Sequence, residues 1–343
     1  MHGAQNSVPV GVLGTGSYVP SHIVSNDEVG APAGVDHDWI HGKTGIRNRR
    51  WAKSDEATSD LAVIAGREAL ESAGIRATQL SLIVVATSTP DQPQPPTAAV
   101  VAAELGADQG TAAFDVNGVC TGFLFALTTA QSMLAAAGGG GYALVIGADV
   151  YSRILNPTDR RTTILFGDGA GAAVLGTPAE YEPGSQPGPE RGVLANRLAS
   201  YAADRHLIEV PGGGSRIPTT AETLAEGLQY FTMNGRGVRD FVADNVPPAI
   251  RGFLAEHGLT PADLDHFVPH QANGRMLDNL SVDLGVGEGR TWTTYEEYGN
   301  TGSASVPITL DRAARSGRLN AGDLVLLAGF GGGMALGLSL IRW

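Results

Sequence analysis

Two passages of this 343-residue chain follow one plan, and that repetition limits its fold more than any other feature. In the first, the short apolar segment Ala112–Val116 turns through Asn117-Gly118 into Val119-Cys120-Thr121-Gly122 and an apolar helical run ending at Ala137. In the second, Gly299-Asn300-Thr301-Gly302 opens a helical pattern over Ser303–Arg315. Cys120 stands 24 positions before Leu144, in the apolar run Tyr142–Ala148, and Asn300 stands 24 positions before Leu324, the start of the next such run. A Gly-rich turn and a final apolar strand follow in each case, Ala170–Gly176 and Met334–Ile341. Equal spacing over two strand–helix–strand passages points to a duplicated unit. Strands alternating with helices at this spacing build α/β layers around largely parallel sheets. A pseudo-twofold fusion of two such halves would set Cys120 and Asn300 face to face.

The remaining segments fit that frame. Val8–Leu13 reads as a buried strand ended by Gly14-Thr15-Gly16, a GxG without the third glycine of a dinucleotide fingerprint. A loop region is expected to about Asp55. Ser59–Ala73 has the period of an amphipathic helix and stops at Gly74; Leu80–Ala86 is of the buried-strand type. Pro90–Pro96 reads as a loop, Thr97–Leu105 as a helix, and His266–Pro269 as a short strand resembling Leu82–Ala86. The polar, Pro- and Gly-rich stretch Glu180–Arg191 reads as the linker. The expected units are residues 1–179, carrying Cys120, and 180–343, carrying His270 and Asn300.

Bulk properties remove several function classes. A formal charge of −12 argues against a nucleic-acid partner, which requires a basic face. One cysteine excludes a disulfide framework and favours the cytosol. The N-terminus lacks the basic segment and apolar core of a signal peptide, and no run approaches the roughly 18 apolar residues of a membrane span. A cytoplasmic protein with no membrane partner is therefore expected.

Cys120, the single thiol, sits where a strand turns into a helix. The helix N-terminus offers unpaired N–H groups and a positive dipole end, which favour a thiolate and a lowered pKa. A nucleophilic thiol also needs a partner and an oxyanion site. Among eight histidines, His270 is singled out because the polar cluster His270-Gln271-Asn273 follows a buried strand, where α/β folds place function. His2, His22, His206 and His257 read as surface or satisfied core residues. Asn300 has two readings, a simple helix N-cap and a counterpart of Cys120. Phe330-Gly331-Gly332-Gly333 is either an ordinary turn or a source of oxyanion donors beside the N–H of Cys120.

VCTGF, FGDGAGAAVLG, VPHQAN, GNTGSASVP and FGGG, in this order, resemble β-ketoacyl-acyl carrier protein synthase III of the thiolase superfamily, and the likeness runs from VLGTGSYVP at residue 12 to the C-terminus. The resemblance implies a five-layered α/β/α/β/α fold of two related halves, a homodimer, and a Cys120-His270-Asn300 triad. It implies a transferase that takes an acyl group from acyl-CoA onto Cys120, then condenses it with a malonyl thioester in a fatty acid or polyketide starter step. The N–H groups of Cys120 and Gly332 would hold the oxyanion. His270 and Asn300 would hydrogen-bond the malonyl thioester carbonyl as carbon dioxide leaves. The implied CoA and substrate contacts are Trp39, Lys43, Arg160, Gly235, Asn273 and Phe330. No resident cofactor or metal is implied, since acyl-CoA and the malonyl thioester are substrates.

The chain departs from the family at several positions. Lys43 replaces an arginine that contacts the CoA phosphates, keeping charge but losing bidentate geometry. Arg239 replaces a channel phenylalanine. Asp240 and Asp283 fall where basic residues dock the acyl carrier protein, and among those positions Arg275 alone keeps its charge, so that partner would meet an altered face. Pro90–Pro96 lacks an aromatic that limits acyl length, and Asn117-Gly118-Val119 is unlike the Ala-rich segment usual before the thiol. These departures keep open a same-fold acyltransferase that delivers the acyl group to a hydroxyl or amine.

Overall fold

In the computed structural model, which describes residues 8–138, 140–178 and 191–343, the apolar runs become two sheets. The first half contributes strands β1 (Gly11–Tyr18), β2 (His22–Ser25), β3 (Asn48–Trp51), β4 (Leu80–Ala86), β5 (Ala112–Val116), β6 (Tyr142–Asp149) and β7 (Gly169–Gly176). Its helices are α1 (Asn26–Gly30), α2 (His37–Thr44), α3 (Thr58–Ala73), α4 (Thr97–Leu105) and α5 (Gly122–Ala136). The second half contributes β8 (Gly192–Ser200), β9 (Ile208–Glu209), β10 (Thr232–Met233), β11 (His266–Pro269), β12 (Leu324–Gly331) and β13 (Ala335–Arg342). Its helices are α6 (Ala221–Ala225), α7 (Gly235–Ala255), α8 (Gly274–Leu284), α9 (Tyr295–Tyr298) and α10 (Ser305–Arg315).

The duplication is visible in strand order. One sheet runs β1-β7-β6-β4-β5, with β4 parallel to both neighbours and β7 antiparallel to both of its own. The other runs β8-β13-β12-β11, with β11 parallel to β12 and β13 antiparallel to both neighbours. The counterpart of edge strand β5 is reduced to one parallel bridge, Phe267 to Thr291.

Strict alternation of side chains sorts the strands into three apolar layers. From β4, Leu82 and Val84 face a central core, while Ile83 and Val85 face an outer one. From β12, Val325 and Leu327 join the same central core and Leu326 and Ala328 a second outer one. Helices α5 and α10 fill the centre with Phe123, Leu127, Val306 and Leu310. Helices α3 and α4 cover the first sheet, and α7 and α8 the second, giving five α/β/α/β/α layers. Sheets covered on both faces need nearly unbroken apolar strands, which explains why these segments do not alternate in polarity.

Three expectations change. The first strand is Gly11–Tyr18 and runs through the GxG. Its glycines admit α3: a Cβ on Gly14 would lie 2.4 Å from the backbone nitrogen of Ala73, and one on Gly16 2.3 Å from that of Ala69. The stretch before Asp55 is ordered rather than a loop, as a β2–β3 hairpin enclosing α1 and α2. Asp36 caps α2 by accepting the Trp39 N–H at 2.9 Å, and Gly45 ends it at φ 73°. Val119–Ala136 does have the length and apolarity of a membrane span, yet Phe123, Leu124, Ala126, Leu127 and Ala130 are fully buried between the sheets. Of the expected linker Glu180–Arg191 all but Arg191 lies outside the described residues, as does the 179/180 boundary.

Candidate active site

Two short 3₁₀ turns meet between the sheets. Val119–Thr121 leads into α5 and Gly302–Ala304 into α10. They press together closely, a Cβ on Gly122 lying 3.4 Å from the Cβ of Ser303. In this register the counterpart of Cys120 is Ser303, each the middle residue of its turn. Asn300 stands three residues upstream of Ser303. Equal sequence spacing paired Cys120 with Asn300 because the count of 24 ran to Leu144, two residues inside a strand that begins at Tyr142; from the turn centres Cys120 and Ser303 the next strands begin 22 and 21 residues on.

The thiol is held in a strained elbow. Val119 has φ 48°, a left-handed conformation that a β-branched residue adopts only under constraint. The constraint comes from both sides. The Val119 N–H donates to Asn117 Oδ1 at 3.2 Å, and Thr121 returns its N–H and hydroxyl to the Gly118 carbonyl at 3.0 and 2.6 Å. Opposite, a Cβ on Gly331 would lie 3.0 Å from the Cys120 sulfur, and one on Gly332 2.9 Å from a Val119 methyl. Only a glycine pair lets the end of β12 approach so near.

The backbone N–H groups of Cys120 and Gly332, the expected oxyanion donors, both face the sulfur and favour its thiolate. They do not prevail. Burial, reinforced by the charge of Asp149, pushes the thiol up to about 12, reversing the expectation drawn from the helix dipole. Loss of hydration outweighs two N–H groups here, so the resting residue is a thiol.

His270 follows β11, its N–H donating to the Ala328 carbonyl at 2.7 Å. Its Nδ1 lies 2.7 Å from Ser305 Oγ on α10, and its ring meets Phe330 edge-on at 5.5 Å. Burial pushes the imidazole down to about 3, so it is neutral. Neighbouring Gln271 is structural: its Nε2 donates to the Pro269 and Trp292 carbonyls, and its Oε1 accepts from the Thr294 and Tyr295 N–H groups. Asn300 is clamped by its N–H to the Leu165 carbonyl at 2.8 Å and its carbonyl to the Gly167 N–H at 3.0 Å. Its Oδ1 accepts the Gly302 N–H at 3.0 Å, which fixes the amide oxygen and leaves the NH₂ as the donor end of the side chain.

Asp149, at the end of β6, is the group that sequence reasoning missed. Fully buried, it accepts from six donors: the Thr87, Ser88 and Thr89 hydroxyls, the Ser88 N–H, and the N–H and hydroxyl of Ser303. A lone charge closing the otherwise apolar strand YALVIGAD was the available signal.

The Arg160 guanidinium lies 5.6 Å over the ring of Trp39 on α2. Lys43 is exposed in the last turn of the same helix. Gly235, at the start of α7, lines a cavity of about 640 Å³ with Arg161, His206, Met233 and Arg236. Asn273 spends its side chain as N-cap of α8, accepting the Met276 N–H at 3.0 Å. Phe330 is buried, its ring edge-on to that of His270. Among the described residues, no group of three or more His, Cys, Asp or Glu is placed to hold a metal.

The family model for 3-oxoacyl-[acyl-carrier-protein (ACP)] synthase III matches residues 114–186, and that for its C terminal matches residues 254–343. Over 334 residues, 97% of this chain and 98% of the relative, the sequence is 58% identical to acetoacetyl CoA synthase NphT7 of Streptomyces sp. strain CL190. The chain belongs to the β-ketoacyl-acyl carrier protein synthase III family. A synthase III of Hyphomonas neptunium is 43% identical over 331 residues, covering 96% of this chain and 98% of its own. The crystal structure of the Pseudomonas aeruginosa PAO1 synthase III, FabH, superposes with a TM-score of 0.86 at 36% identity over 98% of each chain. The fold is thus the thiolase-like one, and this synthase III is an acyl-CoA-primed condensing enzyme.

Proposed function

We propose that this synthase III condenses acetyl-CoA with malonyl-CoA to give acetoacetyl-CoA, with both thioesters carried on CoA. The observation that carries this reading is the charge of the helices that would dock a carrier protein. Arg239 is paired with Asp240 at 2.7 Å and Arg251 with Asp283 at 3.5 Å. Arg275 donates to the Gly42 carbonyl. Such exposed pairs add little stability, but they cancel the positive field that an acidic carrier protein needs for encounter. The cations around the 640 Å³ cavity, Arg161 and Arg236, suit a phosphate-bearing ligand instead. The 58% identity to a protein named acetoacetyl CoA synthase supports the same reading.

In this mechanism Cys120 sulfur attacks the acetyl thioester carbonyl while the N–H groups of Cys120 and Gly332 stabilise the developing oxyanion. The thiol proton ends on the departing CoA sulfur. Malonyl-CoA then enters, and its thioester oxygen accepts hydrogen bonds from His270 and from the Asn300 NH₂. Cleavage of the carboxylate bond releases carbon dioxide, and its electron pair forms an enolate held by those donors. The enolate carbon attacks acetyl-Cys120, expelling the thiolate, which takes up one proton to restore the thiol.

The test follows Cys120 adduct mass and carbon dioxide release after acetyl-CoA, then malonyl-CoA or malonyl-carrier protein. The expected result is an acetyl adduct absent in Cys120→Ala, and carbon dioxide released faster from malonyl-CoA. Equal or faster turnover of malonyl-carrier protein would refute the CoA assignment. An adduct with no decarboxylation from either donor would point to acyl transfer onto oxygen or nitrogen.

A further inference from the structure

We infer that Ser305 is a positioning residue for this reaction, its hydroxyl donating to His270 Nδ1 and so fixing the imidazole as the tautomer that carries its proton on Nε2. The inference rests on the donor role proposed for His270.

The hydrogen-bond inventory around Ser305 decides the direction of that contact. The residue is fully buried at the first position of α10. Its Oγ lies 2.7 Å from His270 Nδ1 and accepts the Gln271 N–H at 3.4 Å. The Gln271 N–H has no acceptor role, so it uses one oxygen lone pair. The serine proton then needs an acceptor, and among the hydrogen bonds that Ser305 Oγ makes, His270 Nδ1 is the only group able to accept. The reverse assignment, with Nδ1–H donating, would strand a buried hydroxyl proton, which folded proteins avoid. The Ser305 carbonyl is itself occupied, accepting the Thr309 hydroxyl at 2.8 Å, so the first turn of α10 is fixed.

The consequence is chemical. Burial keeps the ring neutral, pushed down to about 3, so it has a single N–H to offer. With Nδ1 engaged as acceptor, that N–H is on Nε2, the far side of the ring from α10. A neutral Nε2–H donor is the state that can bind an enolate oxygen without surrendering its proton. An Nδ1–H tautomer would present a lone pair there instead and repel that oxygen. Phe330, edge-on to the ring at 5.5 Å, limits its rotation.

The test uses the resting full-length protein labelled with ¹⁵N-histidine, with His270→Gln identifying the His270 resonances by their loss. The expected spectrum has an unprotonated Nδ1 and a protonated Nε2; a protonated Nδ1 would overturn the inference without reference to turnover. In Ser305→Ala, acetylation of Cys120 should keep its wild-type rate while malonyl-CoA decarboxylation falls about a hundredfold, the scale of a misplaced reacting group. The Nδ1 resonance should also leave its hydrogen-bonded position. Ser305→Thr, which keeps the hydroxyl, should recover most of the rate. Wild-type decarboxylation in Ser305→Ala, or a threonine variant no faster than the alanine one, would refute the role. Wild-type decarboxylation in His270→Ala would instead refute the proposed function on which this rests.

Discussion

Asp149, the last residue of β6, accepts both the N–H and the hydroxyl of Ser303, at 2.8 and 2.7 Å. One carboxylate oxygen thus ties the first sheet to the turn that opens α10, and the other gathers Thr87, Ser88 and Thr89 at the end of β4. Gly302 completes the joint, since a Cβ there would lie 2.5 Å from Asp149 Oδ2. Asp149→Asn keeps the shape but points an NH₂ at one set of donors. Unmet donors of this kind cost about 1–3 kcal/mol each, so an overall loss of about 3 kcal/mol is expected by denaturant titration. A variant as stable as wild type would show that the carboxylate is dispensable to the joint.

The same charge opposes ionisation of Cys120. With the thiol pushed up to about 12, little thiolate exists at neutral pH. Iodoacetamide alkylation of Cys120 should therefore climb with pH through the ordinary thiol range near 8.5 without a plateau. In Asp149→Asn the thiol pKa should fall and alkylation at a fixed pH should quicken. A plateau near neutrality in the wild-type profile would mean that the two N–H groups outweigh burial.

These two residues mark what the sequence discloses and what it conceals. Cys120 was legible because a unique thiol at a strand–helix junction is a local pattern, and its helix is predominantly apolar. Its protonation state was not, because desolvation depends on Gly331 and Gly332, which arrive from 211 and 212 positions further along the chain. The duplication was legible from spacing, yet the register of the two turns was not, since the sequence does not mark where β6 begins and the count started two residues inside it. His270 could be picked from eight histidines by its place after a strand. Its partner Ser305 looked like one small residue among several in GNTGSASVP, and only packing assigns it.

Trp39 and Arg160 come from elements far apart in the chain, and the Arg160 guanidinium rests 5.6 Å over the exposed indole, the two side chains that the resemblance assigns to CoA. An exposed contact between a cation and an aromatic face is worth about 1 kcal/mol, or about fivefold in binding. Trp39→Ala should therefore raise the KM for acetyl-CoA about fivefold and leave kcat unchanged, the signature of uniform binding. An acetyl-pantetheine thioester, which has no adenine, should show no change. A lower kcat with unchanged KM would remove both residues from the CoA site.

Tyr151, Phe166 and Phe231 form one buried aromatic cluster near Cys120, and the acyl group on the thiol is expected to meet it. Tyr151 lies within electrostatic reach of the thiol, Phe166 bridges to Asn300, and Phe231 packs edge-on against both rings. Tyr151 and Phe166 stack at 4.5 Å, and Phe166 meets Phe231 at 4.8 Å, so a long acyl chain directed at this cluster would have to displace packed rings. Wild type should load acetyl-CoA onto Cys120 far faster than hexanoyl-CoA, read by adduct mass. Phe231→Ala should narrow that ratio by admitting the longer chain, while losing about 3–5 kcal/mol of stability to the cavity it opens. The stability loss alone cannot produce this change, because a merely destabilised protein would load both acyl groups more slowly. Equal loading of the two donors by wild type would show that the rings do not bound the acyl chain.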